Sequence, residues 1–178
     1  MPAQLTHLSC HPGHPVEGVT AVAVSICREA GGMALVYDLR GQPSELAVPE
    51  GAGSVRRDEL WKHTCFELFL KDDGANAYTE LNFSPNGDWA AYRFERYRHG
   101  RTDLDCIAPQ ITTHGGNNGL VVSVLMPLDG LDVVTGQVRL GPAAIVAAKN
   151  GARSYWALYH PEDKPDFHLT ENFKISLD

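Results

Sequence analysis

Residues Tyr78–Glu95 read YTELNFSPNGDWAAYRFE, two alternating segments about an Asn-Gly pair. Asn-Gly flanked by alternating apolar residues predicts a β-hairpin, because both central residues of a type I′ turn need positive φ. A tip at Asn86-Gly87 sets Pro85 opposite Asp88 and fixes the register backwards from there. Phe83 then faces Ala90, Leu81 faces Tyr92 and Thr79 faces Phe94, all on one apolar side of the ribbon. The other side pairs Ser84 with Trp89, Asn82 with Ala91, Glu80 with Arg93 and Tyr78 with Glu95. The first side belongs in a core. The second is expected to be the floor of a ligand site, held by a Glu80–Arg93 cross-strand pair of roughly 0.2–1 kcal/mol.

Outward from the hairpin, alternating segments recur between turn signals. VTAVAVSIC (Val19–Cys27) and MALVYDLRG (Met33–Gly41) flank EAGG; ELWKHTCFELFLK (Glu59–Lys71) precedes the hairpin, and GLVVSVLMPL (Gly119–Leu128) follows it. AAIVAAKNGARSYWALYHP (Ala143–Pro161) reads as a second hairpin turning at Asn150-Gly151, and FKISL (Phe173–Leu177) as a closing strand. Short strands separated by Gly, Asn and Pro predict an all-β fold, an antiparallel β-sandwich of jelly-roll type. Helical signals are confined to one or two short turns, in RRDELW (Arg56–Trp61) and PLDGLDVV (Pro127–Val134). The domain is expected to span residues 19–178, with residues 1–18 as an N-terminal extension.

A chain of 178 residues with 43% hydrophobic content suits one domain with a substantial core, and its mean hydropathy of -0.22 suits a soluble one. The net charge of -7 comes without a basic patch, which argues against nucleic acid or an anionic membrane as partner. No apolar run approaches the roughly 18 residues of a membrane-spanning helix. MPAQLTHLSCHPGHP lacks the basic and apolar regions of a secretory signal, so the expected location is cytoplasmic and the four cysteines are expected to be reduced.

LWKHTCFELFL (Leu60–Leu70) places Thr64, Phe66, Leu68 and Leu70 on one face and Trp61, His63, Cys65, Glu67 and Phe69 on the other. If this strand neighbours the hairpin, its second face extends the row of Tyr78, Glu80, Asn82, Trp89 and Arg93. Such a surface suits a sugar, whose C–H face packs on aromatic planes and whose hydroxyls need paired donors and acceptors. Glu67 and Glu80 are the carboxylates for acid–base work, but an Arg93 partner would lower the pKa of Glu80 and spoil it as a general acid. No nucleophile elbow, phosphate-binding loop or His-Glu-x-x-His motif is present. His11 and His14, and the cluster RFERYRHGR (Arg93–Arg101), read as surface features, and no metal site is expected. Trp156, Tyr159, His160, Phe167 and His168 crowd the C-terminal stretch, where His168 is placed to aim at a pocket.

LWKHTCFELFL, the hairpin with its Tyr-x-Glu-x-Asn-x-x-Pro-x-Gly pattern, and SYWALYHPEDKPDFH (Ser154–His168) together resemble bacterial DOMON-like domains, which are similar to family nine carbohydrate-binding modules. The resemblance covers most of residues 19–177. It implies the jelly-roll sandwich and a ligand that is either a sugar or haem. In the sugar-binding relatives aromatic side chains clamp a terminal sugar, roles that Trp61, Trp89, Glu80, Asn82 and Arg93 would fill, with His168 beside them. In the haem-binding relatives Met pairs with His or Lys, for which Met33 and His168 are the formal candidates. The expected function is a non-catalytic module that binds a carbohydrate or sugar-like metabolite without a cofactor. The alternatives are haem binding and a cryptic enzyme acting on a sugar derivative.

Overall fold

The computed structural model describes residues 4–42, 46–51, 53–131 and 137–177. Twelve strands run through the described residues: β1 (Gln4–Cys10), β2 (Val19–Glu29), β3 (Gly32–Gly41), β4 (Cys65–Asp72), β5 (Tyr78–Phe83), β6 (Trp89–Phe94), β7 (Thr102–Asp103), β8 (Gln110–Gly116), β9 (Gly119–Pro127), β10 (Val138–Ala147), β11 (Arg153–Ala157) and β12 (Ile175–Leu177). Every named pairing is antiparallel, in the order β7-β6-β5-β4-β10-β11-β1-β2-β3-β9-β8, with β12 beside β10. The sequence expectation of an all-β antiparallel sandwich is met. Two 3₁₀ turns occur among the described residues, Leu60–Lys62 at the end of RRDELW and Thr170–Asn172. Of the second expected turn, residues 132–134 lie outside the described residues.

The ribbon folds over at β1. That strand pairs with β2 through Leu8 and then with β11 through Ser9 and Cys10, so one sheet ends and the other begins within it. Residues Gln4–Cys10, expected to belong to an extension, are thus a strand at the centre of the sandwich. Their polar spacing concealed this, since Leu8 is the only one of the seven that is buried. Between the sheets, Val22, Val24, Leu35 and Tyr37 meet Phe66, Leu68, Leu81 and Phe83. Burying side chains of this size contributes about 1.5–3 kcal/mol each.

The hairpin forms, but its register differs from expectation by one residue. Phe83 pairs with Trp89, Asn82 with Ala90, Leu81 with Ala91, Glu80 with Tyr92, Thr79 with Arg93 and Tyr78 with Phe94. The connection has three residues, Pro85, Asn86 and Gly87. Gly87 N–H donates to Ser84 O at 2.9 Å and Ser84 N–H to Asp88 O at 2.8 Å. Pro85 decides it. A two-residue turn would make Pro85 a ladder position, where its missing N–H is a defect, whereas its fixed φ suits the second position of a type I turn. Asn86 is not among the residues of positive φ, as type I′ would require, while Gly87 supplies the left-handed closure at φ 95. The Asn86 side-chain oxygen accepts the Asp88 N–H at 3.0 Å. The second hairpin repeats the device: Ala148 N–H donates to Ala152 O, and Asn150 Oδ1 accepts the Ala152 N–H.

One residue of slip turns every side chain of β6 over. Trp89 and Ala91 therefore enter the inter-sheet core, and Ala90, Tyr92 and Phe94 join Glu80 and Tyr78 on the outer face. The expected Glu80–Arg93 pair does not exist, because the two side chains point to opposite faces of the sheet.

Candidate functional site

The outer face of β4, β5, β6 and β10 is itself covered. Phe69, Tyr78, Phe94 and Ile145 form a second apolar cluster with Phe167 and Phe173, which the chain returns across the sheet after β11. Asn172 pins this return: its Oδ1 accepts Tyr159 N–H at 2.8 Å and its Nδ2 donates to Asp166 O at 3.1 Å. Asp166 in turn receives the Arg98 guanidinium at 2.9 Å and the Tyr97 hydroxyl. Although burial pushes the Asp166 carboxyl up, those two hydrogen bonds outweigh it and hold the group below the ordinary aspartate range.

Between sheet and cover lies a cleft of about 490 Å³. Glu67, Glu80 and Ile145 rise from the sheet. Trp61 comes from the 3₁₀ turn before β4, Arg98 and Arg101 from the connection after β6, and Phe167 and His168 from the returning segment, with Phe94 and Tyr155 completing the aromatic walls. Alternation explains the floor: Phe66, Leu68 and Leu70 of β4 enter the core, so Cys65, Glu67 and Phe69 face outward. Arg98 is placed by backbone in the left-handed region at φ 51, which lets its N–H reach the Tyr78 hydroxyl at 3.1 Å. Arg101 has its guanidinium 4.8 Å from the Tyr92 ring centroid and 5.9 Å from that of Trp61, within the range of cation–π attraction.

The hydrogen bonds assign the protons. The Tyr78 hydroxyl has one hydrogen and already accepts from Arg98, so it donates to His168 Nδ1 at 2.7 Å. A neutral His168 then carries its proton on Nε2, which lies 3.9 Å from Glu80 Oε2. Burial, with the Arg98 guanidinium adding to it, pushes His168 down to about 4, so the ring is neutral near pH 7. Asn82 Nδ2 donates to Glu80 Oε1 at 3.0 Å. Burial raises both floor carboxyls: Glu67 well above the usual range, with the charge of Glu80 adding to it and Arg98 partly opposing it, and Glu80 against the Asn82 hydrogen bond and the Arg101 and Arg98 charges.

Of the residues singled out from sequence, Trp61, Glu80 and His168 line the cleft. Asn82 is wholly buried beneath it and holds Glu80. Trp89 is 7% exposed in the inter-sheet core, with the Arg56 guanidinium 5.5 Å from its ring, and it takes no part in the cleft. Arg93 lines a separate small crevice with Lys71, Asp72 and Thr79. The slipped register accounts for both displacements. The haem pairing fails on placement: Met33 is buried between the sheets, whereas His168 lies over the outer face of the other sheet. Arg98 and Arg101 also line the cleft, although in sequence RFERYRHGR reads as a surface charge cluster. Glu67 lines the cleft on the face that the alternation of LWKHTCFELFL predicts for it. Among the described residues no group of three or more His, Cys, Asp and Glu is arranged to hold a metal ion.

In sequence, neither a family model nor a curated protein matches this chain. In structure it is similar to a protein of Bacteroides uniformis with a proposed carbohydrate-binding role, at a TM-score of 0.70 and 12% identity, over 99% of this chain and 87% of that one. A carbohydrate-binding module of family nine from Caldicellulosiruptor kristjanssonii, in complex with cellotriose, matches at a TM-score of 0.57 and 10% identity, over 97% of this chain and 80% of that one. A further structure of a family nine module from that organism, with glucose, matches at 0.51 and 9%, over 90% and 77%. Identities this low speak for architecture. The chain shares its fold with family nine carbohydrate-binding modules.

Proposed function

We propose that this chain is a carbohydrate-binding module and that its ligand enters the cleft over the outer face of β4, β5 and β6. One observation carries the reading: a concave site whose walls are aromatic (Trp61, Phe94, Tyr155 and Phe167) and whose floor is polar (Glu67 and Glu80). A sugar ring needs that division, with apolar C–H faces against ring planes and hydroxyls against fixed donors and acceptors. The volume of about 490 Å³ suits one or two sugar units and not a long chain. Structural neighbours described as binding cellotriose and glucose support the same reading.

The reading is of binding without turnover. Both carboxyls rise from neighbouring strands on one wall of the cleft, whereas glycoside hydrolysis places its two carboxyls on opposite sides of the scissile bond. The test is calorimetric titration with glucose, galactose, mannose, xylose and cello-oligosaccharides, followed by chromatography of the recovered ligand. At least one of these should bind and return unchanged, and Trp61→Ala should weaken it about ten-fold or more with the fold intact. Binding that survives Trp61→Ala unaltered would remove the cleft from the reading.

A further inference from the structure

We propose that the sugar taken by the cleft carries a free amine, so that the ligand is a protonated amino sugar. The proposal rests on the reading of the cleft as a sugar site and adds to it the chemistry of one substituent.

Glu67 is the reason. Its side chain is 3% exposed and faces the cleft, yet none of the described residues donates a hydrogen bond to its carboxyl. The Tyr37 hydroxyl approaches from the core side but donates to the Glu67 backbone oxygen, at 2.7 Å. Glu80, on the neighbouring strand, is provided for by Asn82 Nδ2 at 3.0 Å. Asn82 pairs with Glu67 across the ladder, and its own Oδ1 is buried without a donor. The floor thus holds a carboxyl and an amide oxygen side by side, both lacking donors. A buried carboxylate in that condition is among the costliest groups a protein can keep.

The charges around it do not satisfy it. Arg98 bonds to Asp166 at 2.9 Å rather than to Glu67, whose rise its charge only partly opposes. Arg101 is held over the Tyr92 and Trp61 rings. His168 is neutral, and Glu80 adds a like charge. Besides water in the cleft, two things can settle Glu67: a proton or a cation. A ligand hydroxyl satisfies one acceptor and leaves the carboxyl needing its proton. An ammonium brings a positive charge and three donors, enough for the two floor carboxyls, Glu67 and Glu80, together. The faces of Phe94, Tyr155 and Phe167 attract a cation as well. Binding an amine therefore drives a proton off the pair, whereas binding a neutral sugar does not.

The experiment is calorimetric titration near about pH 6.5, where such an amine is charged, in two buffers of different ionisation enthalpy. Three sets are compared: glucosamine, galactosamine and mannosamine, each with its parent hexose and its N-acetyl derivative. At least one free amine should bind about ten-fold or more tighter than its parent, with proton release, and its N-acetyl derivative should lose that gain. Glu67→Gln should abolish the preference, so that amine and parent bind alike. Should that variant not fold, the N-acetyl comparison on the unmodified protein decides alone. Parents that match the amines in all three sets would overturn the proposal and leave the sugar site standing. Silence from every parent and every amine would overturn it too, and together with silence from xylose and the cello-oligosaccharides would overturn both.

Discussion

Trp89→Ala distinguishes the observed register from the one that the Asn-Gly pair predicts. In the predicted register Trp89 stands on the polar face, and its removal costs little. In the structure it is 7% exposed between the sheets, its ring clustered with core residues of β4 and β5. Truncating a buried Trp costs about 3–5 kcal/mol through lost transfer energy and the cavity left behind. Loss of the Arg56 contact at 5.5 Å adds to this, although Arg56 also holds Leu104 O and Ala91 O at 2.7 and 2.6 Å and so stays in place. A domain of this size loses roughly 2–4 °C of melting temperature per kcal/mol, so a fall of about 6–20 °C is expected. Urea denaturation followed by circular dichroism measures the free energy directly, provided the slope with denaturant stays unchanged. Sugar affinity measured well below the new melting temperature should remain within about three-fold, because Trp89 does not reach the cleft. A loss of stability below about 1 kcal/mol, or a sugar site destroyed in a folded Trp89→Ala protein, would refute the register and the face assignments built on it.

Glu67→Gln is expected to stabilise the unliganded protein at high pH. A folded pKa raised above the unfolded value gives stability that is present at low pH and lost as pH rises through the folded value, so the variant's melting temperature should overtake that of the wild type toward about pH 9 and converge with it near about pH 4. His168 behaves in the opposite sense: its folded pKa of about 4 lies below the unfolded value, so the unfolded chain binds the extra proton and stability falls as pH drops from about 6.5 toward 4. His168→Asn should flatten that part of a melting-temperature profile. Asp166→Asn should loosen the segment that returns over the cleft. Its folded pKa is depressed, so the destabilisation should be present at neutral pH and fade as pH falls through the acid range, with the hydrogen exchange of residues 166–173 rising at pH 7.

Residues whose meaning is periodic were legible from sequence. Phe66, Leu68 and Leu70 alternate against Cys65, Glu67 and Phe69, and the structure keeps that division. Both hairpins were placed by their Asn-Gly pairs. What failed was a count of one residue at a turn, and that count is set by Pro85 and by an asparagine whose side chain caps the backbone instead of adopting positive φ. Because strand faces alternate with a period of two, the small local error moved Trp89 and Arg93 across the sheet while leaving Glu80 and Asn82 in place. β1 was missed for a different reason: its inward side, Thr6, Leu8 and Cys10, carries one large apolar residue, while Leu5 on the opposite side is exposed. Trp61 and His168 were found through composition, as an aromatic and an imidazole in irregular segments. Their meeting over β4 and β5 depends on a chain return that no local pattern encodes.

The burial of β4 and β5 on both faces links fold to function. A sandwich needs only one apolar face per sheet, and here the second face of these strands carries Glu67, Glu80 and Asn82 under a layer of aromatic rings. Each of those polar groups is costly to desolvate, and a Leu or Val in any of the three positions would satisfy the same packing with less strain on stability. The Tyr78–His168 and Asn82–Glu80 hydrogen bonds show how far the fold goes to orient that face: the first fixes a tautomer, the second fixes a carboxylate. Glu67 is oriented by neither, although its neighbours on the floor are. Folding alone gives no reason to keep an unpartnered carboxyl under so tailored a cover. A ligand that completes its hydrogen bonds would, which is why the proposed site rests on the floor of the cleft more than on its aromatic walls.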